Sequence, residues 1–413
     1  MLDKIDMKIY LVGGAVREKL LDHPVKDRDW VVVGACPQQL LDQGYISVGK
    51  DFPVFLHPET KEEYALARTE RKTAPGYHGF SFYADPTVTL EQDLARRDLT
   101  INAMAMDEDG EIIDPYGGRQ DLENRVLRHV SPAFAEDPVR ILRLARFAAR
   151  YSNLGFSVAE ETLELIKSMV TSGEVDALVS ERVWAETEKA LGEKQPQVFF
   201  EILKAGDALA RVYPEIDAMF GVPQPERYHP EVDTGIHSLL VLQRAAELTE
   251  DKEVRFAALL HDLGKATTPV EELPRHIGHE ERGEVLVKQL CERLRCPKSY
   301  REIAMFAAKY HSNVHRSEDL KPKTLLKMFN ALDAIRRPGR VEKLVNICIA
   351  DARGRYGFED VEYKSKDYIL AAHQAVLAVD TKAIASSGLK GRAIAEEIHR
   401  QRLRAIEAVK HSQ

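Results

Sequence analysis

Two aspartates, Asp27 and Asp29, stand two positions apart at the start of the apolar run formed by residues 30–33. Residues at i and i+2 of a strand point to the same face, so the sequence predicts two carboxylates side by side. Like charges held this way repel, and a bound divalent cation is the usual resolution. In nucleotidyl transfer such a pair holds Mg²⁺, which bridges a triphosphate, activates an attacking hydroxyl and neutralises the leaving pyrophosphate. An exposed acidic strand edge is the alternative interpretation.

A glycine pair, Gly13 and Gly14, follows a strand-like run at residues 8–12. Paired glycines let the backbone turn tightly and bring free amides at a helix start close to an anion such as a triphosphate. Taken alone, such a pair more often marks a plain turn between a strand and a helix. Its position shortly before Asp27 favours the phosphate and metal interpretation of both features.

Four arginines recur at three- and four-residue steps, which places them along one side of a predicted helix whose other side is apolar. They are Arg140, Arg143, Arg146 and Arg150. Such a stripe suits phosphates, although a solvated basic face is the commoner use of arginines, and only Asp137 offsets this charge locally. Asp137 followed by Pro138 also has the pattern of a helix N-cap and a favoured first helical residue.

A second group of residues suits a metal ion in the later part of the chain. Its members are His237, His261, Asp262 and Asp351. Imidazole and carboxylate together suit a divalent transition metal with open positions for water. The adjacent pair His261 and Asp262 ends an apolar helical run, which is a sharper signal than a lone histidine. Three further histidines, His276, His279 and His311, are available for substrate or a second metal, with an ordinary helix start as the alternative for the first two.

Composition limits the classes of protein to consider. The chain has 413 residues, 44% hydrophobic and 30% charged, and a formal net charge of −8. These values are typical of a globular protein of two to four domains, and any nucleic-acid surface must be local. Four scattered cysteines without CxxC spacing argue against a disulfide framework and a cysteine zinc site. No apolar run approaches the roughly 20 residues that span a bilayer, so we predict a cytoplasmic protein without membrane association.

The elements that must position these residues change character along the chain. Strand-like runs at 8–12, 30–33, 54–56, 63–68 and 101–106 predict a head of mixed strands and helices. From Asp137 onward the periodicity is helical almost without interruption, and the proline-rich stretch 220–230 is the predicted linker. The predicted fold class is α+β. The predicted domains are a head (1–130), a helical neck and body (131–225), a second helical domain (231–355) and a helical tail (356–413).

Five sequence blocks occur in an order that identifies a family. They are LVGGAVR at 11–17, KDRD at 26–29, RRDLTINA at 96–103, DPYGG at 114–118 and EDPVR at 136–140. Together they resemble the polymerase-β-like nucleotidyltransferase superfamily, and specifically its class II tRNA nucleotidyltransferase branch. The resemblance covers essentially the whole chain and is to bacterial CCA-adding enzymes that carry an extra hydrolase domain.

This resemblance implies template-independent addition and repair of the 3′-terminal CCA of tRNA from CTP and ATP. It implies that Asp27 and Asp29 are catalytic and hold Mg²⁺, and that Asp137 and Arg140 read the incoming base. The other implied nucleotide-binding residues are Gly14, Arg17, Arg97, Arg143 and Arg146. A third metal carboxylate is common in the superfamily, and the choice between Glu63 and Glu70 stays open. Residues 71–79 resemble the loop needed when specificity changes from C to A, with a surface hairpin loop as the alternative.

The later group, His237, His261, Asp262 and Asp351, resembles the HD phosphohydrolase superfamily. In that superfamily these four side chains bind one metal that activates a water for phosphoester cleavage. The resemblance implies phosphatase and 2′,3′-cyclic phosphodiesterase activity, with Ni²⁺ or Mg²⁺ as candidate metals.

Three rival functions follow from the same sequence: a bacterial poly(A) polymerase-like transferase, a phosphohydrolase with a nucleotide-sensing head, and a tRNA-binding chaperone. The acidic balance disfavours the first, because that family carries a strongly basic tail. For tRNA we predict a local positive surface on the arginine helix, on the basic residues between 321 and 343, or on those between 400 and 410. The sequence is compatible with a monomer and with a homodimer.

Overall fold

The computed structural model describes residues 7–48, 54–72 and 80–411, without the side chains of residues 70–72 and 80–82. Packing divides the chain into two units. The head unit comprises residues 1–187 and 198–212, and the helical unit comprises residues 188–197 and 213–413. The four domain ranges expected from the sequence stay predictions, because this division groups residues by packing alone.

Strands of the described residues all belong to the head unit. They are β1 (Lys8–Val12), β2 (Asp29–Val33), β3 (Ile46–Val48), β4 (Val54–Leu56), β5 (Glu63–Leu66), β6 (Thr69–Lys72), β7 (Phe80–Tyr83), β8 (Ala105–Met106), β9 (Ile112–Ile113), β10 (Val126–Leu127) and β11 (Ser157–Val158). Seven of them form one sheet in the order β3-β4-β5-β2-β1-β8-β9. Within it only β2 and β5 run parallel. β6 pairs with β7, and β10 with β11.

Helices of the first part of the chain surround this sheet and continue beyond it. They are α1 (Gly14–Leu20), α2 (Pro37–Asp42), α3 (Leu90–Ala95), α4 (Gly118–Asn124), α5 (Val139–Tyr151), α6 (Glu160–Thr171), α7 (Ser180–Leu191), α8 (Pro196–Ala205) and α9 (Leu209–Val212). Strands followed by helices make the fold class α+β, as predicted.

The helical unit contains the remaining helices. They are α10 (Pro214–Asp217), α11 (Thr234–Leu248), α12 (Lys252–Leu260), α13 (His279–Arg293), α14 (Lys298–His315), α15 (Pro322–Ala331), α16 (Gly339–Arg353), α17 (Ser365–Leu377), α18 (Thr381–Ala385) and α19 (Arg392–His411). Across the described ranges, no helix combines the length and apolarity that crossing a membrane requires.

The central strand β2 is buried on both of its faces. Val31 packs in one core cluster with Leu94 and Ala103, whereas Val32 packs in another with Leu40. This alternation follows from the two-residue period of a strand, and it fixes the register of β2 because a slip by one residue would exchange the two faces. The polar start of β2 is therefore held at a defined point of the sheet.

Two details of the predicted strands are wrong. Residues 101–106 do not form one strand: residues 100–102 form a 3₁₀ helix, and only Ala105–Met106 pairs with β1. Ala103 N donates to Thr100 O at 2.9 Å, and the Thr100 hydroxyl donates to Asp121 at 2.7 Å. Local hydrogen bonds thus outweigh the apolar periodicity here. The chain also forms a strand beyond Asp137, where the sequence predicts helices: β11 pairs in parallel with β10.

Candidate active sites

An arginine-rich cavity of about 480 Å³ lies in the head unit. It is lined from five parts of the chain: the β1–α1 turn, the start of β2, residues 96–102, the region of α5, and α7. Eight arginines and three aspartates line it, so an anionic ligand such as a triphosphate is favoured electrostatically. The lining residues are Gly13, Gly14, Arg17, Asp29, Arg96, Arg97, Asp98, Asn102, Asp137, Arg140, Arg143, Arg146, Phe147, Arg150 and Arg182.

The cavity brings together the seven predicted nucleotide-binding residues and Asp29. The seven are Gly14, Arg17, Arg97, Asp137, Arg140, Arg143 and Arg146. Arg182, Asn102 and Phe147 also line it, although the sequence interpretation did not include them. Arg182 is distant in sequence from the motifs that it joins, so no local pattern could have indicated it, whereas Asn102 lies within the 96–103 block and Phe147 follows Arg146 on α5.

The turn at Gly13 requires glycine for two reasons. Its backbone has φ 66° and ψ −126°, a combination that residues with a Cβ rarely adopt. A Cβ at this position would also lie 2.8 Å from Nη1 of Arg97. The glycine therefore allows a guanidinium to approach the β1–α1 turn closely.

Strand pairing places Asp29 beside this turn. Val12, the last residue of β1, lies across from Asp29 in the antiparallel register, so the aspartate is adjacent to the point where Gly13 begins the turn. Asp29 lines the cavity, whereas Asp27 is an exposed residue outside the set of lining residues. Their carboxylates are nevertheless close enough to interact, because the charge of Asp27 acts on the pKa of Asp29.

The pKa of Asp29 is raised above its ordinary value. The surrounding protein partly desolvates the carboxylate even though the residue as a whole is exposed; Arg97 lowers the pKa, and the negative charge of Asp27 raises it further. Glu63 lies across from Asp29 in the parallel pairing of β2 with β5, so both side chains leave the sheet on the same face. The side chain of Glu70 lies outside the described residues.

The side chain of Arg17, a residue of α1, packs against α5. Its guanidinium donates to the side-chain carbonyl of Asn102 and, at 2.7 Å, to Glu18. The guanidinium carbon also lies 5.1 Å from the centre of the Phe147 ring and 5.4 Å from that of Tyr151, within the range of cation–π attraction. Arg17 is buried, and these contacts fix where its charge faces the cavity.

The arginines of α5 have partners that are remote in sequence. Nε of Arg143 donates to Asp98 at 2.8 Å, and Nε of Arg146 donates to Glu186 at 2.7 Å. Asp98 and Glu186 are both buried. Only Asp137 offsets this charge locally in the sequence, and the structure adds remote counter-charges from α7 and from the segment before α4, which local sequence cannot reveal.

Asp137 combines a contact to the helix start with a salt bridge. Its Oδ1 accepts a hydrogen bond from the backbone N–H of Val139 at 3.1 Å. Both carboxylate oxygens accept from the guanidinium of Arg182, at 3.2 and 2.9 Å. Nη1 of Arg140 donates to the carbonyl of Ala133 at 2.6 Å. Both predicted base-reading side chains are thus oriented by contacts within the head unit.

Arg97 and its neighbour Arg96 are both anchored by Asp93, a fully buried residue that the sequence interpretation missed. The Arg96–Asp93 and Arg97–Asp93 distances are 2.9 and 3.2 Å. Burial alone would raise the pKa of Asp93, but the two guanidinium groups outweigh it and the pKa is lowered. Asp93 therefore stays charged and fixes the arginines near the turn at Gly13.

The four predicted metal ligands of the helical unit converge. His237 lies on α11, His261 and Asp262 directly follow α12, and Asp351 lies on α16. Nε2 of His237 is 3.1 Å from Oδ1 of Asp351, and Nε2 of His261 is 3.3 Å from Oδ2 of Asp262. All four residues are buried.

The two histidines present their Nε2 atoms to the carboxylates. Nδ1 of His261 is 2.7 Å from the carbonyl of Ala258, and Nδ1 of His237 is 3.1 Å from the carbonyl of Gly354 and 2.9 Å from Oε1 of Glu231. An Nδ1–H that donates to these acceptors leaves a lone pair on Nε2, which is the tautomer that a metal ligand needs.

Unsatisfied atoms indicate that a cation fits this cluster. Within the described ranges, Nε2 of His261 and Oδ1 of Asp262 are buried and have no hydrogen-bond partner of good geometry. Burial disfavours a charged His261, but Asp262 and Asp351 outweigh it and raise the pKa of His261 to about 10. Two imidazoles and two carboxylates form a donor set typical of divalent transition metals.

Several residues around this cluster were not predicted. Lys265 donates to Oδ2 of Asp262 at 2.5 Å and to Gln224 at 2.6 Å. Nε2 of His315 is 2.7 Å from Oδ2 of Asp351. An adjacent cavity of about 330 Å³ is lined by His229, Asp262, Lys265, His279, His311, Ser312, His315, Asp351, Ala352 and Arg355. His276 is not among them: its ring nitrogens are 2.8 Å from the Thr268 hydroxyl and 3.1 Å from the Pro223 carbonyl.

The predicted loop at residues 71–79 lies mostly outside the described residues. Of the predicted flexible loop at residues 71–79, residues 73–79 lie outside the described residues, and residues 71–72 belong to β6.

Sequence profiles of known families match in three places. A profile described as the poly A polymerase head domain matches residues 9–128, and an HD domain profile matches residues 234–352. Between them, a profile described as a probable RNA and SrmB-binding site of polymerase A matches residues 155–220. The HD domain match contains His237, His261, Asp262 and Asp351, and the head domain match contains the part of the head cavity from Gly13 to Asn102.

Whole-length relatives decide the family. A multifunctional CCA protein of Thioalkalivibrio sulfidiphilus is 60% identical over 404 residues, which cover 98% of this chain and 99% of the relative. That of Nitrosococcus oceani is 60% identical over 407 residues, which cover 98% of this chain and 100% of the relative. The chain belongs to the multifunctional CCA protein family. This agrees with the resemblance seen in the five sequence blocks.

Solved structures share the fold of this chain. A CCA-adding enzyme in apo form II has a TM-score of 0.68 and 21% identity, covering 98% of this chain and 89% of that chain. A complex of a CCA-adding enzyme with CTP has a TM-score of 0.64 and 20% identity, covering 98% of this chain and 88% of that chain. At this identity the likeness shows that the multifunctional CCA protein family shares their fold.

Proposed function

We propose that the chain adds and repairs the 3′-terminal CCA of tRNA, using CTP and ATP without a nucleic-acid template. The observation that carries the proposal is the head cavity, where Asp29 and an excess of arginines share one space with the turn at Gly13. Family membership supports it, because relatives of 60% identity over nearly the whole chain bear the name multifunctional CCA protein.

In this proposal Asp27 and Asp29 hold Mg²⁺. Desolvation and, to a smaller extent, the neighbouring charge of Asp27 raise the pKa of Asp29, and two such carboxylates suit a hard divalent cation. Bound there, the metal would neutralise the phosphates and lower the pKa of the attacking 3′-hydroxyl of tRNA. Arg17, Arg97, Arg143 and Arg146 bind the triphosphate. The buried carboxylates of Asp93, Asp98 and Glu186 hold the last three guanidinium groups in place before substrate arrives.

Asp137 and Arg140 select the base. A carboxylate accepts from the exocyclic amine of cytosine or adenine, and a guanidinium donates to the ring acceptors of either. Uracil and guanine place a carbonyl oxygen where that amine would be, so acceptor faces acceptor, at a cost of about 1–3 kcal/mol per unpaired group. Arg182 holds the carboxylate of Asp137 from the side, which restricts the directions from which a base can donate to it.

For tRNA, the exposed Lys321, Lys323 and Lys327 are the best-placed members of the predicted basic segment. Others in that segment are offset by acids: Arg340 bonds to Glu302, and Lys343 lies 2.9 Å from Asp251. Because exposed cations without such partners contribute most to phosphate binding, we assign the contact to the lysines at the start of α15.

The helical unit supplies a second activity in this proposal, metal-dependent phosphohydrolysis of phosphomonoesters and 2′,3′-cyclic phosphates. His237, His261, Asp262 and Asp351 would hold the metal, which activates water for attack on phosphorus. Two imidazole ligands favour a transition metal such as Ni²⁺ over Mg²⁺, which prefers oxygen ligands. Lys265 and His315, each bonded to one of the carboxylates, keep these ligands oriented.

Incubation of the purified chain with tRNA lacking its terminal CCA and each labelled triphosphate tests the first activity. We expect addition of C, C and A followed by a stop. A long A tail would instead indicate the poly(A) polymerase-like alternative, and no incorporation would leave the phosphohydrolase or tRNA-binding alternatives. Opening of 2′,3′-cyclic AMP to the 2′- or 3′-monophosphate, and release of phosphate from a phosphomonoester, each measured with Ni²⁺ and with Mg²⁺, test the second activity.

A further inference from the structure

Three hydrogen bonds converge on one carboxylate oxygen of Glu18. Its Oε1 accepts from Nε of Arg17 at 3.1 Å, from Nη2 of Arg17 at 2.7 Å and from the Tyr151 hydroxyl at 2.6 Å. Arg17 and Glu18 are neighbours on α1, whereas Tyr151 is the last residue of α5. The carboxylate therefore joins the helix that follows the glycine turn to the helix that carries the arginine stripe.

Glu18 and Tyr151 keep the protonation states that this contact requires. Burial would raise the pKa of Glu18, but the hydrogen bonds from Tyr151 and Arg17 outweigh it and the pKa is lowered. Burial raises the pKa of Tyr151 to about 12, despite the opposing charge of Arg17. At neutral pH the phenol therefore donates to an ionised carboxylate, which is the stronger, charge-assisted kind of hydrogen bond.

Further contacts restrict the Arg17 guanidinium. Nη1 donates to the side chain of Asn102, and the rings of Phe147 and Tyr151 lie within cation–π distance of the guanidinium carbon. The two rings are stacked, with their centres 6.2 Å apart and their planes inclined by 1°. A long side chain is thus held in one orientation, which reduces the conformational entropy that it loses when an anion binds.

Arg17 lines the head cavity, whereas Glu18 and Tyr151, which are both described residues, lie outside the set that lines it. These two residues therefore act on a ligand through Arg17 and not by contact. The base-reading end of the cavity has separate supports, because Asp137 is bound by Arg182 and Arg140 donates to the carbonyl of Ala133. Loss of the Tyr151 hydroxyl leaves those supports in place.

We propose that Glu18 and Tyr151 are positioning residues for nucleotidyl transfer. The Tyr151 hydroxyl fixes the Glu18 carboxylate, and the carboxylate fixes the Arg17 guanidinium toward the triphosphate of the incoming nucleotide. The inference rests on the proposed triphosphate-binding role of Arg17. It assigns to this pair the binding of the phosphates and leaves the choice of base to Asp137 and Arg140.

Helix α5 then serves both parts of a nucleotide. Its first turn carries Arg140, which is proposed to read the base, and its last residue, Tyr151, orients a phosphate-binding arginine of another helix. Because one helix carries both groups, its length sets the spacing between the base-reading end and the phosphate-binding end of the cavity. A hydroxyl outside the cavity thus contributes to the geometry that a near-attack arrangement needs.

Tyr151→Phe tests the proposal, because it removes the hydroxyl and keeps the ring that lies against Arg17. Calorimetric titration of the full-length chain with CTP and with inorganic triphosphate, in excess Mg²⁺ and without tRNA, measures the effect. We expect the affinity for both ligands to fall about tenfold, since a hydrogen bond to a charged group is lost. On tRNA lacking CCA, the ratio of kcat/KM for CTP to that for UTP should stay within about twofold of wild type.

Two further variants separate positioning from a general loss of packing. Tyr45→Phe is the matched control, because Tyr45 is a buried tyrosine on another core cluster of the head unit, and it should bind both ligands as wild type does. Glu18→Ala should weaken binding at least as much as Tyr151→Phe. Adding Tyr151→Phe to Glu18→Ala should weaken it no further, because the hydroxyl acts only through the carboxylate.

Each other result overturns the inference in a recognisable way. Unchanged affinities in Tyr151→Phe would refute the positioning role and leave the proposed function intact. Weaker binding of CTP with unchanged binding of inorganic triphosphate would also refute it, because the hydroxyl would then act on the base. Additive losses in the double variant would show that Tyr151 and Glu18 act independently. Wild type that binds neither ligand would instead refute the proposed function, and the inference with it. Far-UV circular dichroism and urea unfolding confirm that each variant is folded.

Discussion

Arg143 of α5 and Asp98 join at 2.8 Å, which connects the arginine helix to the segment that also carries Arg97. Asp98 is buried and also accepts from the Asn102 amide and the Leu99 N–H, both at 2.9 Å. Asp98 thus holds the cavity-lining guanidinium of Arg143 and the 3₁₀ turn at residues 100–102 in one network.

Replacing this carboxylate reduces stability in a pH-dependent way. Burial would raise the pKa of Asp98, but Arg143 and Asn102 outweigh it and the pKa lies well below its ordinary value. A lowered folded-state pKa stabilises the fold above the unfolded-state pKa, and the benefit is lost as pH falls through the folded-state pKa. We expect Asp98→Asn to lower the free energy of unfolding by about 1–3 kcal/mol at pH 7.

Urea unfolding at pH 7 and at successively lower pH below about 4 measures this effect. The gap between Asp98→Asn and wild type should narrow in that acidic range. Asp109→Asn, which removes an exposed carboxylate of the same unit, serves as control and should change the free energy of unfolding by less than about 0.5 kcal/mol. A gap that persists undiminished in acid would contradict the assignment.

Asp137→Ala and Arg140→Ala relax the choice of nucleotide. Removing either base-reading group removes the penalty against uracil, so discrimination between CTP and UTP should fall by about tenfold or more. Steady-state kcat/KM for CTP, ATP and UTP on tRNA lacking CCA measures it, and the Mg²⁺ dependence should change less. Unchanged selectivity in both variants would reject the template role.

Arg182→Ala extends the same test to the salt bridge. With the carboxylate of Asp137 released from its bidentate partner, we expect selectivity to fall in the same direction but less than in Asp137→Ala. Selectivity equal to wild type would mean that the Asp137–Arg182 pair serves only packing between α5 and α7.

Gly13→Ala tests the close approach of Arg97 to the β1–α1 turn. The variant strains the positive φ by about 1–2 kcal/mol and also forces Arg97 away. Gly110 has φ 85°, and no atom lies within 4 Å of the place that an added Cβ would take, so Gly110→Ala introduces the strain without the displacement.

We therefore expect kcat/KM for CTP to fall more than about tenfold in Gly13→Ala and to stay near wild type in Gly110→Ala, with a similar loss of unfolding free energy in both. Thermal or urea unfolding beside the kinetic assay separates the two effects. Equal kinetic losses in the two variants would show that the turn acts through stability alone.

The two activities respond separately to metal-site substitutions. His261→Ala should abolish phosphohydrolysis and leave CCA addition within about twofold, because its contacts lie wholly in the helical unit. Asp29→Asn should do the opposite. Each variant is assayed for both reactions, and dialysis against a chelator followed by Ni²⁺ should restore phosphohydrolysis in Asp29→Asn only. Parallel loss of both activities in His261→Ala would argue for one shared site.

Local sequence patterns predicted those residues of the head cavity that lie within a single motif. The apolar run at 30–33 placed Asp29 at the start of a strand, and the glycine pair placed a turn after β1. Asp27 precedes β2, so the prediction that both aspartates lie on this strand is wrong. Their adjacency, however, depends on the antiparallel pairing of β1 with β2, which sequence spacing does not specify. The resemblance to the nucleotidyltransferase family implied that Asp29 and the glycine turn are adjacent.

What the sequence could not predict are the remote counter-charges. Glu186 and Arg182 look like ordinary surface residues on an amphipathic helix, because a charge on a helix face is usually solvated. Only tertiary packing brings them against Arg146 and Asp137. Asp93 differs, because it lies three and four positions before Arg96 and Arg97, a spacing that the sequence itself displays. Likewise, the placement of His279 but not His276 in the helical-unit cavity depends on the direction of each side chain.

Lys265 gives the histidine cluster a positive charge of its own. Because its ammonium group sits 2.5 Å from Asp262, the aspartate does not have to wait for an external ion before it can be enclosed. The helical unit should therefore fold without metal and bind its metal ion afterwards. Starvation for the transition metal would then abolish the proposed hydrolysis in a protein that is still folded and, with Mg²⁺ present, still able to carry out the proposed CCA addition.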